Sequence, residues 1–215
     1  MPRKPKTEKI DAKELAKKLL IDKTHGAAKA GAKELEKADK FSVGYKKFLD
    51  LSKTERETVT YAVEAAEAAG FVPFEPGKKY RAGEKVYYNN RGKAMCLAVI
   101  GKEGCKDGVR IAAAHIDSPR VDLKPIPLYE QNELALLKTH YYGGIKKYQW
   151  TAIPLSMHGK VVRKDGSELT LCIGEKEGDP QFTITDILPH LGKDQSAKKL
   201  GEAFTGEDLN VLVGS

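Results

Sequence analysis

At 215 residues, 40% hydrophobic and 31% charged, the chain is long enough for one good-sized domain or two small ones and too apolar to remain disordered. No window approaches the roughly 18 apolar residues of a membrane span. The formal net charge is +7, but acidic residues interleave with the lysines and no RNP, helix-turn-helix or finger motif accompanies them, so a nucleic-acid partner is not expected; an acidic substrate or an oligomer contact explains the charge as easily.

The chain starts with a basic run, Met1-Pro2-Arg3-Lys4-Pro5-Lys6, and the lysine excess continues through Lys9, Lys13, Lys17 and Lys18. A secretory signal would place an apolar core next, whereas Ile10 to Leu20 is laced with Lys, Asp and Glu. No signal peptide is expected, and the cytoplasm is the default setting. Ile10, Leu15, Leu19 and Leu20 predict an amphipathic helix over 10–22. Residues 26–41, rich in Gly, Ala and Lys, predict a loop or a short helix, and an apolar rhythm resumes from Phe41 to Leu51. Ser52-Lys53-Thr54-Glu55 fits a capping box. It opens a helix through Val59, Val63 and Ala66 that Gly70 would end.

Strands follow. Lys85 to Tyr88 reads as a strand, Asn89-Asn90-Arg91-Gly92 as a turn, and Met95 to Ile100 as a β-prone run. After the Gly- and charge-rich stretch Gly101–Gly108, Val109 to His115 reads as a further strand, with an apolar run suited to cover on both faces. A helix followed by strands on short turns predicts the first edge of an α/β sheet. Downstream, Leu134–Tyr142, Gly159–Arg163 and Ser167–Ile173 read as β, separated by turns at Gly143-Gly144 and Lys164-Asp165-Gly166. A domain boundary is therefore placed near residue 125. Gly201 to Ser215 shows no closing element. Cys96, Cys105 and Cys172 are far apart and odd in number, which predicts reduced thiols rather than a disulfide framework or a cysteine metal site.

The sharpest local signal is Ala114-His115-Ile116-Asp117-Ser118-Pro119. A histidine ending a buried strand stands where α/β folds place active sites. An aspartate two residues on can accept from the imidazole and leave the other ring nitrogen for a metal. The same spacing also fits a histidine bonded to a backbone carbonyl, since one histidine is not a ligand set. His190, after Pro189, reads by itself as a structural histidine. His140 and His158 read as surface or strand positions, and His25 lies in a Lys-rich region with no evident partner in the sequence. Tyr141, Tyr142, Tyr148 and Trp150 suggest an aromatic interface core rather than a base-stacking platform.

His115-Ile116-Asp117-Ser118-Pro119, then Leu123-Lys124-Pro125, resembles the His-Thr-Asp-Ser-Pro and Lys-Pro pattern of the M18 (aspartyl aminopeptidase) family, with Ile116 at the usual Thr. Tyr142-Gly143-Gly144, Trp150 and Gly159-Lys160-Val161 are similar to its Tyr-Gly-Gly, Trp and Gly-Arg-Val stretch. Ile184 to Leu191 is similar to its Arg-Ile-Pro-x-Leu-Ala-Ile-His-Leu segment. The resemblance implies an α/β fold: the N-terminal part of a zinc-exopeptidase α/β domain over 1–125, followed by an incomplete β-rich dimerisation domain over 126–215. It implies an aminopeptidase with two zinc ions per complete site, His115 as a metal ligand, Asp117 as its orienting carboxylate, and His190 as a substrate contact in the neighbouring subunit of a homo-oligomer. The remaining ligands and the general base would come from the missing C-terminal half of the catalytic domain, so the isolated chain is expected to be inactive. Where many members carry Asp-Arg-Asp after the Trp, this chain has Ala152-Ile153-Pro154. That implies a divergent branch and leaves selectivity for N-terminal Asp or Glu open. The alternative reading is a catalytically inactive fragment acting as a self-association module.

Overall fold

A computed structural model describes residues 11–21 and 23–215. The basic start through Lys9, with Ile10, lies outside the described residues. The described chain divides after Phe48 into two units.

The first unit is helical. Helix α1 (Ala12–Leu19) opens at Asp11, whose side chain accepts from Lys13 N at 2.9 Å, and α2 is the single turn Gly26–Lys29. Helix α3 then runs unbroken over Ala32–Leu51, its last three residues lying beyond the division. A loop or short helix was expected over much of this stretch. The correction has a local cause. Ala32 to Lys40 is almost entirely Ala, Lys, Glu and Leu, which are strong helix formers. Lys40 adds an i,i+4 ion pair with Glu36 at 2.8 Å. Helix propensity therefore suffices where no residue of α3 is buried. The later apolar rhythm becomes an aromatic ladder, Phe41 to Tyr45 to Phe48, with ring centroids 6.4 and 6.1 Å apart.

In the second unit, helix α4 (Glu55–Ala68) is capped two residues later than expected. Thr54 Oγ1 accepts from Glu57 N at 3.3 Å, and Glu57 Oε2 accepts from Thr54 N at 2.9 Å. Ser52-x-x-Glu55 and Thr54-x-x-Glu57 both satisfy the capping-box pattern. Packing decides between them, because Ser52 is itself buried at the end of α3, and the later start turns Thr58, Val59 and Ala66 inward. Gly70 ends the helix as expected. At φ +82° it allows Phe71 N to reach Ala66 O at 2.9 Å and its own N to reach Glu67 O at 2.9 Å, a Schellman closure that relies on glycine's access to the left-handed region.

Helix α4 lies against β2 and β3 of a three-stranded sheet. The order is β1 (Val72–Pro73), β2 (Lys85–Asn90), β3 (Ala94–Val99), parallel then antiparallel. Val86 and Tyr87 are buried, and the Tyr87 hydroxyl donates to Glu67 Oε1 at 2.7 Å. The expected strand at Val109–His115 does not form. Residues 108–119 are irregular, and Ile111 is 81% exposed. A strand buried on both faces needs a neighbour and a cover, and no described strand pairs with this one.

The β-rich remainder holds a four-stranded sheet in the order β4 (Arg120–Gln131), β5 (Leu134–Tyr142), β9 (Val211–Gly214), β8 (Thr183–Ile184). A separate hairpin joins β6 (Met157–Val162) to β7 (Glu168–Ile173). Strand β4 is continuous through residue 125. Its register with β5 shifts between Leu123 and Leu128, where Pro125 and Pro127 cannot donate to the ladder. The chain end corrects another expectation. Val211–Gly214 does close the fold, entering between β5 and β8 as an interior strand. Leu137, Ile184, Leu209 and Val211 form the core, with Trp150, Leu155, Met157 and Phe182 packed against it. A last helix, α5 (Lys193–Ser196), is one turn. Among the described residues no helix is long and apolar enough to cross a membrane.

Candidate active-site segment

The His-x-Asp-Ser-Pro motif lies in the irregular stretch just before β4. Three contacts hold it. Thr58 of α4 donates from its hydroxyl to the Ile116 carbonyl at 3.5 Å. Arg120 Nη1 donates to the Ser118 carbonyl at 3.3 Å. Pro119 lies under Gly143, where a side chain would begin 3.6 Å from the proline Cα. Two motifs that are 27 residues apart by first residue (115 and 142) therefore become neighbours, since Arg120 pairs with Tyr142 across the β4–β5 ladder.

Arg120 is the hub of this corner. Its guanidinium sits over the Tyr142 ring at 4.2 Å, bonds Asp122 Oδ1 at 2.7 Å and approaches Glu55 Oε2 at 3.5 Å. The Asp117 carboxylate, foremost through hydrogen bonding, holds the Tyr142 hydroxyl above its ordinary pKa. The structure thus joins Asp117, Tyr142 and Arg120 into one contact chain at the foot of the histidine.

His115 itself is 84% exposed. Its Nδ1 lies 3.1 Å from the Asp117 carbonyl oxygen and 3.3 Å from Asp117 Oδ1. Asp117 therefore supplies both contacts that the spacing allowed, a backbone carbonyl and a carboxylate, and both use the same ring nitrogen. The Nε2 side is left open. His190 lies in the exposed turn after β8, and no contact joins it to His115. The four aromatics do not form one cluster. Trp150 packs on the β core, Tyr142 serves Arg120, and Tyr141 carries Lys147 Nζ 5.5 Å from its ring centroid. All three cysteines are free and exposed.

Sequence reading missed His158. It is 11% exposed and bonds Glu57 Oε1 at 2.7 Å from 101 positions away. Period-2 geometry puts Ser156 and His158 on one strand face, but no local pattern announces a partner that distant.

Residues 48–213 match the family model described as Aminopeptidase I zinc metalloprotease (M18). The chain belongs to the M18 peptidase family. It is 50% identical over 181 residues to a probable M18 family aminopeptidase 1 of Clostridium acetobutylicum, a match covering 81% of this chain and 39% of the relative. Its fold is similar to the crystal structure of an M18 aminopeptidase from Thermotoga maritima, with TM-score 0.78 and 45% identity over 83% of this chain and 39% of that one. An aspartyl aminopeptidase of Dictyostelium discoideum is 30% identical over 156 residues, 68% of this chain and 31% of the relative. The mixed α/β fold is thus that of M18 aminopeptidases, and the chain spans about two fifths of the length of the bacterial relatives it matches.

The family is one of zinc metalloproteases. Among the described residues no group of three or more His, Cys, Asp or Glu is arranged to hold a metal ion. A zinc site takes about three or four protein ligands, so these residues do not make one alone. His115 fits one position in such a set, with a free Nε2 and a carboxylate behind Nδ1.

Proposed function

We propose that this M18 chain carries part of the active site of a metalloaminopeptidase that removes N-terminal residues from peptides. In this reading His115 is one metal ligand, Asp117 is the carboxylate that orients it, and His190 contacts substrate in a neighbouring subunit. The supporting observation is the ring's orientation, with Nδ1 against Asp117 and Nε2 open. A complete site holds two zinc ions, and the other ligands and the general base come from the C-terminal half of the catalytic domain. Zinc in such sites lowers the pKa of bound water and polarises the scissile carbonyl. The part played by this chain is to present one imidazole in a fixed tautomer. Residues 1–125 belong to the catalytic domain and 126–215 to a dimerisation domain. The setting is cytoplasmic, in keeping with three free, exposed cysteines. Removal of N-terminal Asp or Glu rests on the 30% likeness to an aspartyl aminopeptidase, and Ala152-Ile153-Pro154 argues against strict selectivity.

Zinc calorimetry on the 215-residue chain tests the division of labour. We expect no tight stoichiometric site and no peptide hydrolysis, and both gained when the C-terminal half is supplied. A tight site in the chain alone refutes the reading. A panel of peptides differing at the first residue then measures selectivity.

A second reading, a self-association module, draws on β4, the outer strand of its sheet, which exposes Ile126 and Leu128. A dimer by sedimentation, with no hydrolysis even after the C-terminal half is added, selects it.

A further inference from the structure

His158, Glu57, Glu175, Ser156 and Lys53 form a bonded cluster outside the His115 segment. His158 Nδ1 lies 2.7 Å from Glu57 Oε1, on the first turn of α4. Its Nε2 lies 3.1 Å from Glu175 Oε1, just beyond β7, and 3.2 Å from Ser156 Oγ, just before β6. A serine, a histidine and a glutamate in this order invite the reading of a nucleophile with its base. The hydroxyl proton decides against it. Ser156 Oγ donates to Glu175 Oε1 at 2.6 Å, so that proton is committed to the carboxylate, and Nε2, 3.1 Å from the same oxygen, is placed to donate to it as well. With Nδ1 facing Glu57, both ring nitrogens meet carboxylate oxygens, and only the doubly protonated ring supplies two donors.

The two carboxylates are held in place independently. The other oxygen of Glu57 accepts from Lys53 N at 3.1 Å, Thr54 N at 2.9 Å and Thr54 Oγ1 at 3.1 Å. Glu175 Oε2 pairs with Lys53 Nζ at 3.4 Å. The carboxyl of Glu175 is pushed down to about 2 by Ser156 first, then by His158 and Lys53. Of the other charged and titratable groups around His158, Arg120 pairs with Asp122 and Glu55 and Lys160 with Glu168, while Arg56, Tyr61 and Glu64 line the cavity on the α4 side and Cys172 stands opposite on β7.

We propose that the His158 imidazolium is a proton-dependent clamp fastening the N-terminal turn of α4 to the β6–β7 hairpin. Loss of one ring proton turns a charge-assisted bond into a carboxylate facing a lone pair, and that arm opens. The next residue of α4, Thr58, holds the Ile116 carbonyl, so the clamp bears on the seat of His115. The inference does not rest on the metal or on peptidase activity.

Nitrogen NMR of the His158 ring and amide exchange of the 215-residue chain test it together. Near pH 6, well within the histidine range, both ring nitrogens should carry protons. Raising the pH to about 8.5 should lower the protection of hairpin and α4 first-turn amides about tenfold, after correction for intrinsic exchange. His158→Gln should remove this pH dependence. Should that variant not fold, Glu175→Gln keeps the shape and lets its amide donate to a neutral ring, so it too should flatten the profile. A singly protonated ring near pH 6, pH-independent protection in the wild type, or an unchanged profile in Glu175→Gln overturns the proposal.

Discussion

His115 and His158 lie in opposite surroundings. His115 is 84% exposed and meets one residue, Asp117. His158 is 11% exposed and meets carboxylates from two sides. The residue proposed for chemistry is the unfinished one, and the fully bonded one has a structural part. The contrast extends to their neighbourhoods. The segment before β4 exposes Val109 and Ile111, whereas the β core encloses Ile184 and Leu209 completely. An exposed, irregular segment and a packed core carry different signatures, and substitution can separate them.

The largest expected effect is in the core. Ile184→Ala should cost about 2–5 kcal/mol in urea unfolding, the usual range for a fully enclosed aliphatic side chain. A loss near zero would place Ile184 with the unfinished segment and break the contrast. Next is the cap of α4. Thr54→Ala should cost about 1 kcal/mol. Ser52→Ala should be neutral or stabilising, because Ser52 Oγ is buried without a partner among the described residues. The reverse ranking would return the cap to Ser52 and loosen the seat of Glu57.

Acid unfolding sharpens the comparison from the His158 side. Glu175 in the fold is pushed down to about 2 from an ordinary 4.5. The folded state therefore binds the proton less readily than the unfolded one. The stability this contributes is fully present above about pH 4.5 and is lost as the pH falls toward 2. Glu175→Gln should flatten that part of the acid transition, and an unchanged transition would mean the carboxylate is not held as described. The smallest stability effects belong to the other region. His115→Ala and Ile111→Ala should each stay within about 0.5 kcal/mol, and on the proposed function His115→Ala should abolish hydrolysis once the C-terminal half is supplied. A large stability loss at His115 would make it structural.

The legible parts of the fold were those with local causes. The α4 periodicity and its Gly70 stop, the β2–β3 hairpin with its turn at Arg91-Gly92, and the β6–β7 hairpin around Gly166 follow from hydrophobic period and turn chemistry. The ordered motifs from His115 to His190 identified the family, and their order carried more than any one spacing. Two misreadings came from competing local patterns. Two capping boxes overlap between Ser52 and Glu57, and the run after Gly31 reads as a loop or a short helix because it has little to bury, although its residues are strong helix formers. The seat of His115 was half legible. Asp117 is a sequence neighbour, but Thr58 and Tyr142 reach the motif only through the fold.

By itself, then, the sequence determined helix α4, the short hairpins and the pairing of His115 with Asp117, because each rests on residues within a few positions of one another, and it identified the family through the order of its motifs. The tertiary structure decided the rest. It inserted Val211–Gly214 between β5 and β8, denied Val109–His115 a ladder for want of a strand beside it, set Arg120 over Tyr142, and brought Glu57 to His158 across 101 positions. These outcomes depend on which distant segments supply hydrogen-bond partners and cover, and no local window of sequence contains that information.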